Sequence, residues 1–560
     1  MKPRFYIKEI LFNDNSKICF EKNDIVVFVG PNNAGKSAAL KESAEQIKAT
    51  NNYTKVVKKI KIGKEGEKYD FKSYIEKISI KKKTTNPEIY FQGLGYDIYS
   101  PSIENQLNDY EKVGIGNLFP IFVNILNTEQ RLSSANPPPN IRLITDPINH
   151  PIHFLQKDDE IENKFSGYFK QAFGTDLIVH RNAGMEVPLY VGEKPILQNG
   201  EDRVSKNYIE ALEKLDLLHK QGDGMRSFVG ILLNSFIAIH DILFIDEPEA
   251  FLHPPQARLL GKMLGKDLPS EKQLFLATHN EDFLKGLLEA NSSNLKIIRI
   301  NREGTVNSIK VLDSIDIDAI WNDSLLRHSN ILAGLFHSKV VICESDSDSR
   351  FYSAVLNSQF DGGANPTTDI LFINVGGKHR IPVAIKALNK LNVSIKVISD
   401  FDILNNIEPL KIIYEELGGD WSDVNKDWEL VKYEIENKRP EFLTEDAKNQ
   451  INDILSSIDE RIFPKKKIVE INKVLKKSSP WTEAKEIGKA FIPNGNAMQA
   501  FNRIQTKFIK KGLLIPEVGE LESFVKSVGN HGPKWINNVL AKDLKNDPEL
   551  SDARDFVNLI

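Results

Sequence analysis

The chain is poor in cysteine, with only Cys19 and Cys343 among its 560 residues. Two cysteines in separate apolar segments supply neither a disulfide framework nor a cysteine zinc site, and they fit a reducing cytoplasm. Long apolar runs are also lacking, since none approaches the roughly 20 residues that span a bilayer. The segment Met1–Glu9 lacks the charged and then apolar pattern of a signal peptide. We therefore expect a cytoplasmic protein without a membrane partner.

A strong excess of charge is absent as well, because 77 acidic and 73 basic residues leave a formal net charge of −4. Basic stretches usually form solvated faces, and each is also a candidate contact for nucleic acid. A length of 560 residues exceeds one ordinary core and predicts two to four domains. The basic stretches are Lys55–Lys64, Lys81–Lys83, Lys465–Lys477 and Lys507–Lys511.

A phosphate-binding loop is the clearest motif near the N-terminus. The segment Gly30–Ser37 (Gly-Pro-Asn-Asn-Ala-Gly-Lys-Ser) lies between a strand-like run, Ile25–Val29, and a helical segment. This is the strand–loop–helix context of a P-loop, whose backbone amides surround phosphate groups. Lys36 is expected to reach the β- and γ-phosphates of ATP, and Ser37 to bind Mg²⁺. The candidate residues of this loop are Gly30, Asn33, Gly35, Lys36 and Ser37.

Two later strand-like runs end in polar side chains. Ile242–Ile245 is followed by Asp246, a candidate Mg²⁺-binding residue acting through water, and by Glu247. Glu247 is the candidate group that polarises the attacking water. Leu274–Ala277 ends just before His279. A lone histidine is more often structural than catalytic, and a catalytic role for His279 depends on the resemblance described next.

Together GPNNAGKS, ILFIDEPEAFLHP and LFLATHN resemble an ABC-type ATPase of the RecF/SMC-like branch. The resemblance implies that two heads sandwich ATP, so a homodimer or higher homo-oligomer is expected. It also implies that His279 is a switch histidine and that Gly222 and Gly224 contact the γ-phosphate of the partner head. Their segment, Gln221–Ser227, differs from the Leu-Ser-Gly-Gly-Gln of transporters. Other nucleotide-side candidates are Gln92, Gln106 and the stretch Thr128–Leu132, for which a plain loop is the alternative.

The spacing of the motifs excludes one architecture. Lys36 and Asp246 are 210 positions apart (246 − 36), and the interval has no sustained heptads, so the long coiled coils of SMC proteins do not fit. We expect an insertion at about 150–220 that helps two heads meet. Within it, the pattern predicts helices at Pro151–Phe173 and Tyr208–His219 and paired strands at Leu177–Val191.

A second strand–helix pattern begins after residue 335 and predicts a parallel sheet. Glu344 follows its first strand-like run, Lys339–Cys343, while Asp400 and Asp402 follow its third run, Ser394–Ile398. The carboxyl ends of parallel strands meet at one edge and commonly hold the active site. These three carboxylates are therefore expected to lie together.

Clustered carboxylates repel one another unless cations neutralise them. Asp400 and Asp402 can hold one hard cation, and Glu344 and Asp348, four positions apart, can turn toward the same cavity. One or two Mg²⁺ or Mn²⁺ ions held there would stabilise the attacking and leaving oxygens of phosphodiester cleavage. An acidic pair that only caps a strand is the alternative interpretation.

A glutamate after the first strand, a glycine turn and an Asp-x-Asp pair resemble the Toprim domain. An ABC-type head followed by Toprim is similar to the overcoming lysogenisation defect (OLD) family of nucleases, with relatives in anti-phage systems such as Gabija and retrons. The resemblance covers nearly the whole chain and implies that Glu344, Asp348, Asp400 and Asp402 are metal ligands, with Glu344 catalytic. This chain departs from many Toprim domains at Ser345, where they have glycine. The family also uses a later acidic residue and a lysine, for which the candidates are Glu520 (alternative Glu522) and Lys534 (alternative Lys526).

The predicted fold is α/β, with an ABC-type ATPase head (1–335) followed by a parallel-sheet Toprim domain (336–560) that carries a helical insertion (about 403–494). The predicted function is ATP-binding, metal-dependent endonucleolytic cleavage of DNA under nucleotide control, in anti-phage defence. One alternative is a RecF/SMC-like nucleotide-switched sensor or scaffold without nuclease activity. The other is a toxin nuclease that acts on RNA. The resemblance adds a helicase, or a reverse transcriptase with its noncoding RNA, as a partner encoded nearby.

Overall fold

The computed structural model describes residues 2–49, 54–83, 89–290, 293–304, 306–312, 321–323, 330–360, 369–438, 443–458, 460–476, 479–529 and 531–560. They form an N-terminal unit, Met1–Trp321, and a C-terminal unit, Asn322–Ile560. Both units are α/β, as predicted from the alternation of strand-like and helical segments.

The strands of the N-terminal unit are β1 (Arg4–Phe12), β2 (Lys17–Cys19), β3 (Ile25–Val29), β4 (Val57–Glu65), β5 (Ile80–Lys83), β6 (Ile89–Gly93), β7 (Tyr96–Tyr99), β8 (Val123–Leu126), β9 (Asp176–Val179), β10 (Leu189–Gly192), β11 (Asp216–Leu217), β12 (Ile242–Asp246), β13 (Gln273–Ala277), β14 (Leu295–Glu303) and β15 (Val306–Leu312). Its helices are α1 (Lys36–Lys48), α2 (Lys68–Ile78), α3 (Ser100–Val113), α4 (Phe119–Phe122), α5 (Thr128–Ser133), α6 (Ile152–Lys157), α7 (Asp159–Phe173), α8 (Lys206–Leu212), α9 (Asp223–Leu232), α10 (Pro254–Asp267) and α11 (Glu281–Glu289).

The central sheet of this unit has the order β15-β14-β3-β13-β12-β8. Its strands from β14 to β8 are parallel, and β15 is antiparallel to β14. All residues of β3 and β13 are buried, as expected for parallel strands that are covered on both faces. Because β3, β13, β12 and β8 are neighbours, the residues that follow them meet at one edge of the sheet.

The core of this unit continues into the antiparallel sheet β2-β1-β4. Phe5 of β1 packs against Phe71 of α2 and Phe122 of α4, with ring centroids 4.9 and 5.2 Å apart. These aromatic contacts tie the antiparallel sheet and the first helices to the parallel sheet through one continuous apolar core.

The segment at 150–220 contains α6 and α7 and an antiparallel sheet of order β11-β10-β9. The predicted helical segment at Pro151–Phe173 is confirmed as two helices that are separated at Asp158, and the predicted paired strands at Leu177–Val191 are confirmed. The prediction of one helix over Tyr208–His219 is wrong, because α8 ends at Leu212 and Leu217 pairs with Tyr190. The apolar residues of α8 and β11 face one core. Their spacing along the chain therefore resembled that of a single longer helix.

The strands of the C-terminal unit are β16 (Lys339–Cys343), β17 (Ile370–Asn374), β18 (Ser394–Ile398) and β19 (Leu513–Leu514). Its helices are α12 (Asp346–Ser358), α13 (Ile381–Lys390), α14 (Ile407–Glu416), α15 (Asn425–Asn437), α16 (Thr444–Ser456), α17 (Lys465–Lys476), α18 (Pro480–Ile487), α19 (Asn496–Lys511), α20 (Pro533–Leu540) and α21 (Ser551–Val557).

The four strands of the C-terminal unit form a parallel sheet of order β17-β16-β18-β19. β16 and β18 are neighbours, so Glu344 and Asp400, which follow them, lie side by side. Trp535 of α20 is fully buried and packs on Phe351 of α12 with ring centroids 5.4 Å apart. This core holds α12 and α20 close to the carboxyl edge of the sheet.

In the part of the chain that the structure describes, no helix combines the length and the apolarity that crossing a membrane requires.

The packing of α10 on α11 depends on glycine and can be tested directly. A Cβ on Gly286 would lie 1.9 Å from Arg258 O, whereas a Cβ on Gly167, exposed in α7, would meet nothing within 4 Å. We predict that Gly286→Ala lowers the free energy of unfolding by about 3 kcal/mol through overpacking. Gly167→Ala should raise it by about 0.5 kcal/mol because the unfolded chain loses conformational freedom. Calorimetric unfolding of both variants checks this, and an unchanged Gly286→Ala protein would contradict the close packing.

Candidate nucleotide site and candidate metal site

The loop Gly30–Ser37 joins β3 to α1 and has the shape of a phosphate cradle. A Cβ on Gly30 would lie 2.1 Å from Ile300 O, so only glycine permits this approach. Lys36 Nζ curls back over the loop and donates to Gly30 O at 2.8 Å and to Pro31 O at 2.9 Å. These carbonyls hold the ammonium group where a bound phosphate would need it.

The two candidate Mg²⁺-binding residues, Ser37 of the loop and Asp246 of β12, lie far apart in sequence but are in contact. Ser37 Oγ donates to Asp246 Oδ1 at 2.9 Å. Burial raises the pKa of Asp246, and the hydrogen bond from Ser37 opposes the rise. Asn33 and Gly35 have φ values of +62° and +103°, the left-handed conformations found in anion-binding turns. A hydroxyl and a carboxylate beside such a turn are oxygen donors that suit Mg²⁺.

Glu247 and His279 also come together at the edge of the sheet. Glu247 Oε1 lies 3.4 Å from His279 Nδ1, and Glu249 Oε1 lies 3.6 Å from the same nitrogen. Glu249 is buried and accepts a hydrogen bond from Thr278 Oγ1 at 2.8 Å. Burial raises the pKa of Glu249. Sequence reasoning missed Glu249, although its place in the Asp-Glu-Pro-Glu run was a usable signal.

Arg131 lies in the candidate stretch Thr128–Leu132, but the sequence did not predict its contacts. It is fully buried in α5 and donates from Nη1 to Asp246 O and to Glu247 O, the latter at 2.8 Å. The stretch Thr128–Leu132 thus forms a helix behind the carboxylates. Thr128 and Glu129 at its start line a cavity of about 330 Å³ together with Asp246 and Glu247.

The two glutamines proposed for the nucleotide side lie elsewhere. Gln92 Nε2 donates to Asp97 Oδ2 in the hairpin β6–β7, and Gln106 Nε2 donates to Gly114 O. The structure places neither beside Asp246. The glutamine that follows β8, Gln130, closes a capping box with Asn127 at the start of α5.

The candidate signature glycines lie at the beginning of α9. Gly222 is the exposed N-cap of this helix, and Gly224 lies in its first turn beside Phe251 O. The amide groups at this helix end are available to an anion. Contact of Gly222 and Gly224 with the nucleotide of a partner head stays a prediction.

In the C-terminal unit the structure brings together the carboxylates that follow β16 and β18. Glu344 Oε1 accepts hydrogen bonds from Ser399 Oγ and from Asp400 N, the latter at 3.1 Å. Burial, reinforced by the nearby Asp400 carboxylate, raises the pKa of Glu344 to about 7. Glu344, Asp400 and Asp402 each offer a ligand atom, and these atoms lie within 4.8 Å of one another.

Two lysines partly neutralise this acidic cluster, and neither was predicted. Lys485 Nζ of α18 lies 2.8 Å from Asp400 Oδ2 and 3.8 Å from Glu520 Oε2. Lys378 Nζ lies 2.9 Å from Asp402 Oδ2. Lys485 comes from the helical segment at 403–494, where no sequence pattern marks it as part of the site.

The donor set fits a divalent cation. Asp402 Oδ1 is buried without a hydrogen-bond partner. A buried oxygen of this kind needs a partner, and a bound cation would supply one. Burial raises the pKa of Asp400, an effect that Lys485 opposes. Carboxylate oxygens whose ionised forms are disfavoured by burial and mutual repulsion are stabilised when Mg²⁺ or Mn²⁺ is bound.

Asp348 lies near this carboxylate cluster and also caps a helix. Its Oδ2 accepts a hydrogen bond from Ser345 N at 2.8 Å, closing a capping box at the start of α12. Ser345, the departure from the family pattern, therefore caps this helix. Burial, with a contribution from Asp400, raises the pKa of Asp348 to about 6.

Both late acidic candidates reach the site. Glu520, Glu522 and His531 form a second group with ligand atoms within 4.8 Å of one another. Glu522 Oε1 accepts from Gly532 N at 2.8 Å and lies 3.7 Å from His531 Nδ1. Burial raises the pKa of Glu520 to about 7. An open cavity of about 620 Å³ is lined by this second group, by Glu344 and Asp400 of the first group and by Lys485.

The predicted lysines, Lys534 and Lys526, are exposed. Lys534 lies in the first turn of α20, and its neighbours His531 and Pro533 line the cavity whereas Lys534 does not. Among the described residues no ion pair joins Lys534 to the acidic cluster. A role for Lys534 stays a prediction, and the late-sequence lysine that contacts the cluster is Lys485.

Comparison with family profiles matches part of each unit. A profile described as "AAA domain, putative AbiEii toxin, Type IV TA system" matches residues 136–284, which include Asp246, Glu247 and His279. A profile described as "Overcoming lysogenization defect protein-like, TOPRIM domain" matches residues 335–402, which include Glu344 and Asp402. These matches confirm the predicted combination of an ATPase domain and a Toprim domain.

Individual relatives are more distant. Old nuclease of Escherichia phage P2 is 24% identical over 174 residues, which cover 30% of this chain and 28% of that protein. The match thus spans less than a third of the length of Old nuclease. Uncharacterized protein MJECL11 of Methanocaldococcus jannaschii is 32% identical over 99 residues, which cover 17% of this chain and 86% of that protein.

Among solved structures, the SMC head bound to the C-winged helix domain of ScpA is 15% identical, with a TM-score of 0.33 over 56% of this chain and 99% of that chain. The SMC head domain from Thermotoga maritima is 12% identical, with a TM-score of 0.27 over 56% of this chain and 100% of that chain. The chain thus combines an ATPase domain with a Toprim domain like that of the overcoming lysogenization defect (OLD) proteins, and part of it is similar to Old nuclease.

Proposed function

We propose that this chain is an ATP-binding, metal-dependent endonuclease that cleaves DNA phosphodiester bonds under nucleotide control. The observation that carries the proposal is the convergence of Glu344, Asp400 and Asp402, with ligand atoms within 4.8 Å, at adjoining strand ends. Lys485 and Glu520 line one open cavity with Glu344 and Asp400. A concentration of partly buried acids beside lysines suits binding of divalent cations and of a phosphodiester together.

Each residue of the acidic cluster has a distinct task in this proposal. Divalent cations, when bound, supply charge that polarises the phosphate and lowers the pKa of water. Glu344 is oriented by its hydrogen bonds from Ser399 and Asp400, so its carboxylate cannot rotate freely. Asp402 directs a buried, unpaired oxygen at the cation position. Lys485, which contacts Asp400, is the group placed to stabilise charge on a phosphate oxygen.

The N-terminal unit is proposed to bind and hydrolyse ATP. Lys36 and the amides of the loop Gly30–Ser37 hold the phosphates, and Ser37 with Asp246 holds Mg²⁺. Glu247, beside His279, orients the attacking water. Gly222, at the exposed start of α9, is proposed to contact the nucleotide of a second copy, which makes a homodimer the working unit.

DNA is the proposed substrate, because the chain is similar to Old nuclease. Anti-phage defence is the proposed biological role, because the Toprim profile is named for a defect in phage lysogenization. A helicase or a reverse transcriptase encoded nearby is the proposed partner on the ground of the family resemblance. Cleavage of RNA and a nucleotide switch without nuclease activity are the competing functions, and the experiments below distinguish them.

The first prediction concerns cleavage of supercoiled plasmid in Mg²⁺ or Mn²⁺. We predict that Asp400→Asn/Asp402→Asn lowers the cleavage rate at least about 1,000-fold, because several kcal/mol of charge stabilisation are lost. Agarose electrophoresis of nicked and linear products measures the rate. Asp453→Asn, an exposed change in α16, is the matched control and should cut like the wild type.

The same assay tests control by nucleotide. Lys36→Ala should keep metal-dependent cleavage but lose the effect of ATP on it. A wild type that cuts only RNA would replace the DNA nuclease by an RNA nuclease. A wild type that hydrolyses ATP and cuts neither nucleic acid would favour the nucleotide switch.

The second prediction compares the two candidate lysines. Lys485→Met should lower the maximal cleavage rate about 100-fold, because a cation near the phosphate is lost. It should also tighten Mn²⁺ binding, since Lys485 competes with the metal for Asp400. Lys534→Met should leave both quantities within about twofold of wild type because its side chain is exposed. Single-turnover rates and calorimetric Mn²⁺ titration measure them, and the reverse pattern would assign the role to Lys534.

The third prediction follows from the raised pKa values of Glu344, Asp348 and Glu520. The folded protein binds the protons of these carboxyl groups more tightly than the unfolded chain does. The protonated carboxyl groups therefore stabilise the folded protein at low pH, and this stabilisation is lost as pH rises through about 7. Mg²⁺ binds the ionised carboxylates and stabilises them. The Mg²⁺-induced rise in melting temperature should therefore be larger at about pH 8 than at about pH 5. Thermal melts in EDTA or Mg²⁺ measure it.

Asp400→Asn/Asp402→Asn is the control for these melts and should show a small Mg²⁺ effect at every pH. A Mg²⁺ effect in the wild type that is constant with pH, or larger at acidic pH, would contradict the assignment of this cluster as the metal site.

A further inference from the structure

Arg131 is a buried charge, and its Nη1 donates to two main-chain carbonyl oxygens. Its side chain is fully buried, and in the described part of the chain it forms no ion pair with a carboxylate. Nη1 donates to Asp246 O and Glu247 O, and Nη2 donates to Thr128 Oγ1 at 3.2 Å. Burying a guanidinium is unfavourable unless its donors are satisfied. Nε is buried without a hydrogen-bond partner, so the guanidinium is held by the bonds of Nη1 to the two carbonyls and of Nη2 to Thr128 Oγ1.

The residue held by this contact has a strained backbone. Glu247 has a φ of +49°, a left-handed conformation that costs a non-glycine residue about 1–2 kcal/mol. Such a conformation persists only where the surroundings fix it. Glu247 N donates to Ala277 O at 2.8 Å, and Glu247 O accepts from Arg131, so both sides of the residue are held. In this conformation the Glu247 carboxylate lies 3.4 Å from His279 Nδ1.

The backbone of Arg131 reaches a third element. A Cβ on Gly230 of α9 would lie 2.0 Å from Arg131 O, so α9 packs directly on this residue. Arg131 thus connects α5, the end of β12 and α9, whose N-cap is Gly222. It does not line the cavity beside Asp246, and hence lies behind the carboxylates.

We propose that Arg131 is a positioning residue for ATP hydrolysis, which fixes the carboxylates of Asp246 and Glu247 by donating to their backbone carbonyls. The inference rests on the proposed ATPase function of the N-terminal unit. Because Arg131 contacts neither the loop Gly30–Ser37 nor the cavity, its loss affects the orientation of Glu247 and leaves the phosphate-binding loop intact.

Arg131→Met in the full chain is the decisive variant, since it keeps an unbranched side chain and removes every donor. We expect kcat for ATP hydrolysis to fall about 100-fold, the effect of a small misplacement of a catalytic group. The Kd of a fluorescent ATP analogue should stay within about threefold of wild type, a change of less than 0.7 kcal/mol. Arg142→Met, at an exposed arginine with 81% side-chain accessibility, is the matched control and should leave kcat unchanged.

Arg131→Lys and Arg131→Ala keep the test decisive if Arg131→Met does not fold. Arg131→Lys retains a buried cationic donor and should keep more activity than Arg131→Met. Methylguanidinium should raise kcat of Arg131→Ala several-fold, whereas tetramethylammonium at equal ionic strength should not, because only the former donates hydrogen bonds. A purely structural arginine would not show this selective rescue.

The outcomes separate this inference from the function on which it rests. A wild type without ATP hydrolysis would overturn the proposed ATPase and the positioning role with it. A hydrolysing wild type with an equally active, folded Arg131→Met variant would overturn the positioning role alone. Parallel losses of kcat, ATP affinity and melting temperature without rescue would make Arg131 a structural residue.

Discussion

The parallel pairing of buried strands is the constraint on which both sites depend. Hydrogen bonds between β3, β13 and β12 set Ser37 beside Asp246, and those between β16 and β18 set Glu344 beside Asp400. Parallel strands all end at the same edge, so polar residues that follow them converge however far apart they are in sequence. Burial of the strands then lowers the local polarity, and this disfavours the ionised form of the converging carboxylates.

The two sites manage clustered charge in different ways. In the C-terminal unit, Lys378 and Lys485 each contact one carboxylate of the Asp-x-Asp pair, which limits repulsion in a cluster where burial raises the pKa of Glu344 and of Asp400. In the N-terminal unit, the acids at the end of β12 are steadied through their backbone carbonyls by Arg131, and Ser37 bonds one carboxylate. Direct contacts by lysine leave the acids open to exchange for metal, whereas a backbone contact fixes geometry without neutralising the carboxylate.

Local pattern accounts for much of what was predicted. Apolar runs that end in Gly30, Asp246 or Glu344 are recognisable because a buried parallel strand is a short, continuous apolar segment. The same local pattern misplaced the helix over Tyr208–His219, since leucines buried against one core give similar spacing in a helix and in a helix followed by a strand. Gln92 and Gln106 carried no local sign of their position, and they bond within the hairpin β6–β7 and beside Gly114.

The sequence by itself determined the α/β class, the order of an ATPase domain and a Toprim domain, and the carboxylates that follow the strands, because these depend on residues close together in the chain. Only the tertiary structure decided which single side chains complete the sites. Arg131, Glu249 and Lys485 reach their partners across 115, 30 and 85 positions respectively. Side chains of these types occur throughout the sequence, and their roles follow only from burial and from the direction of their contacts in the folded chain.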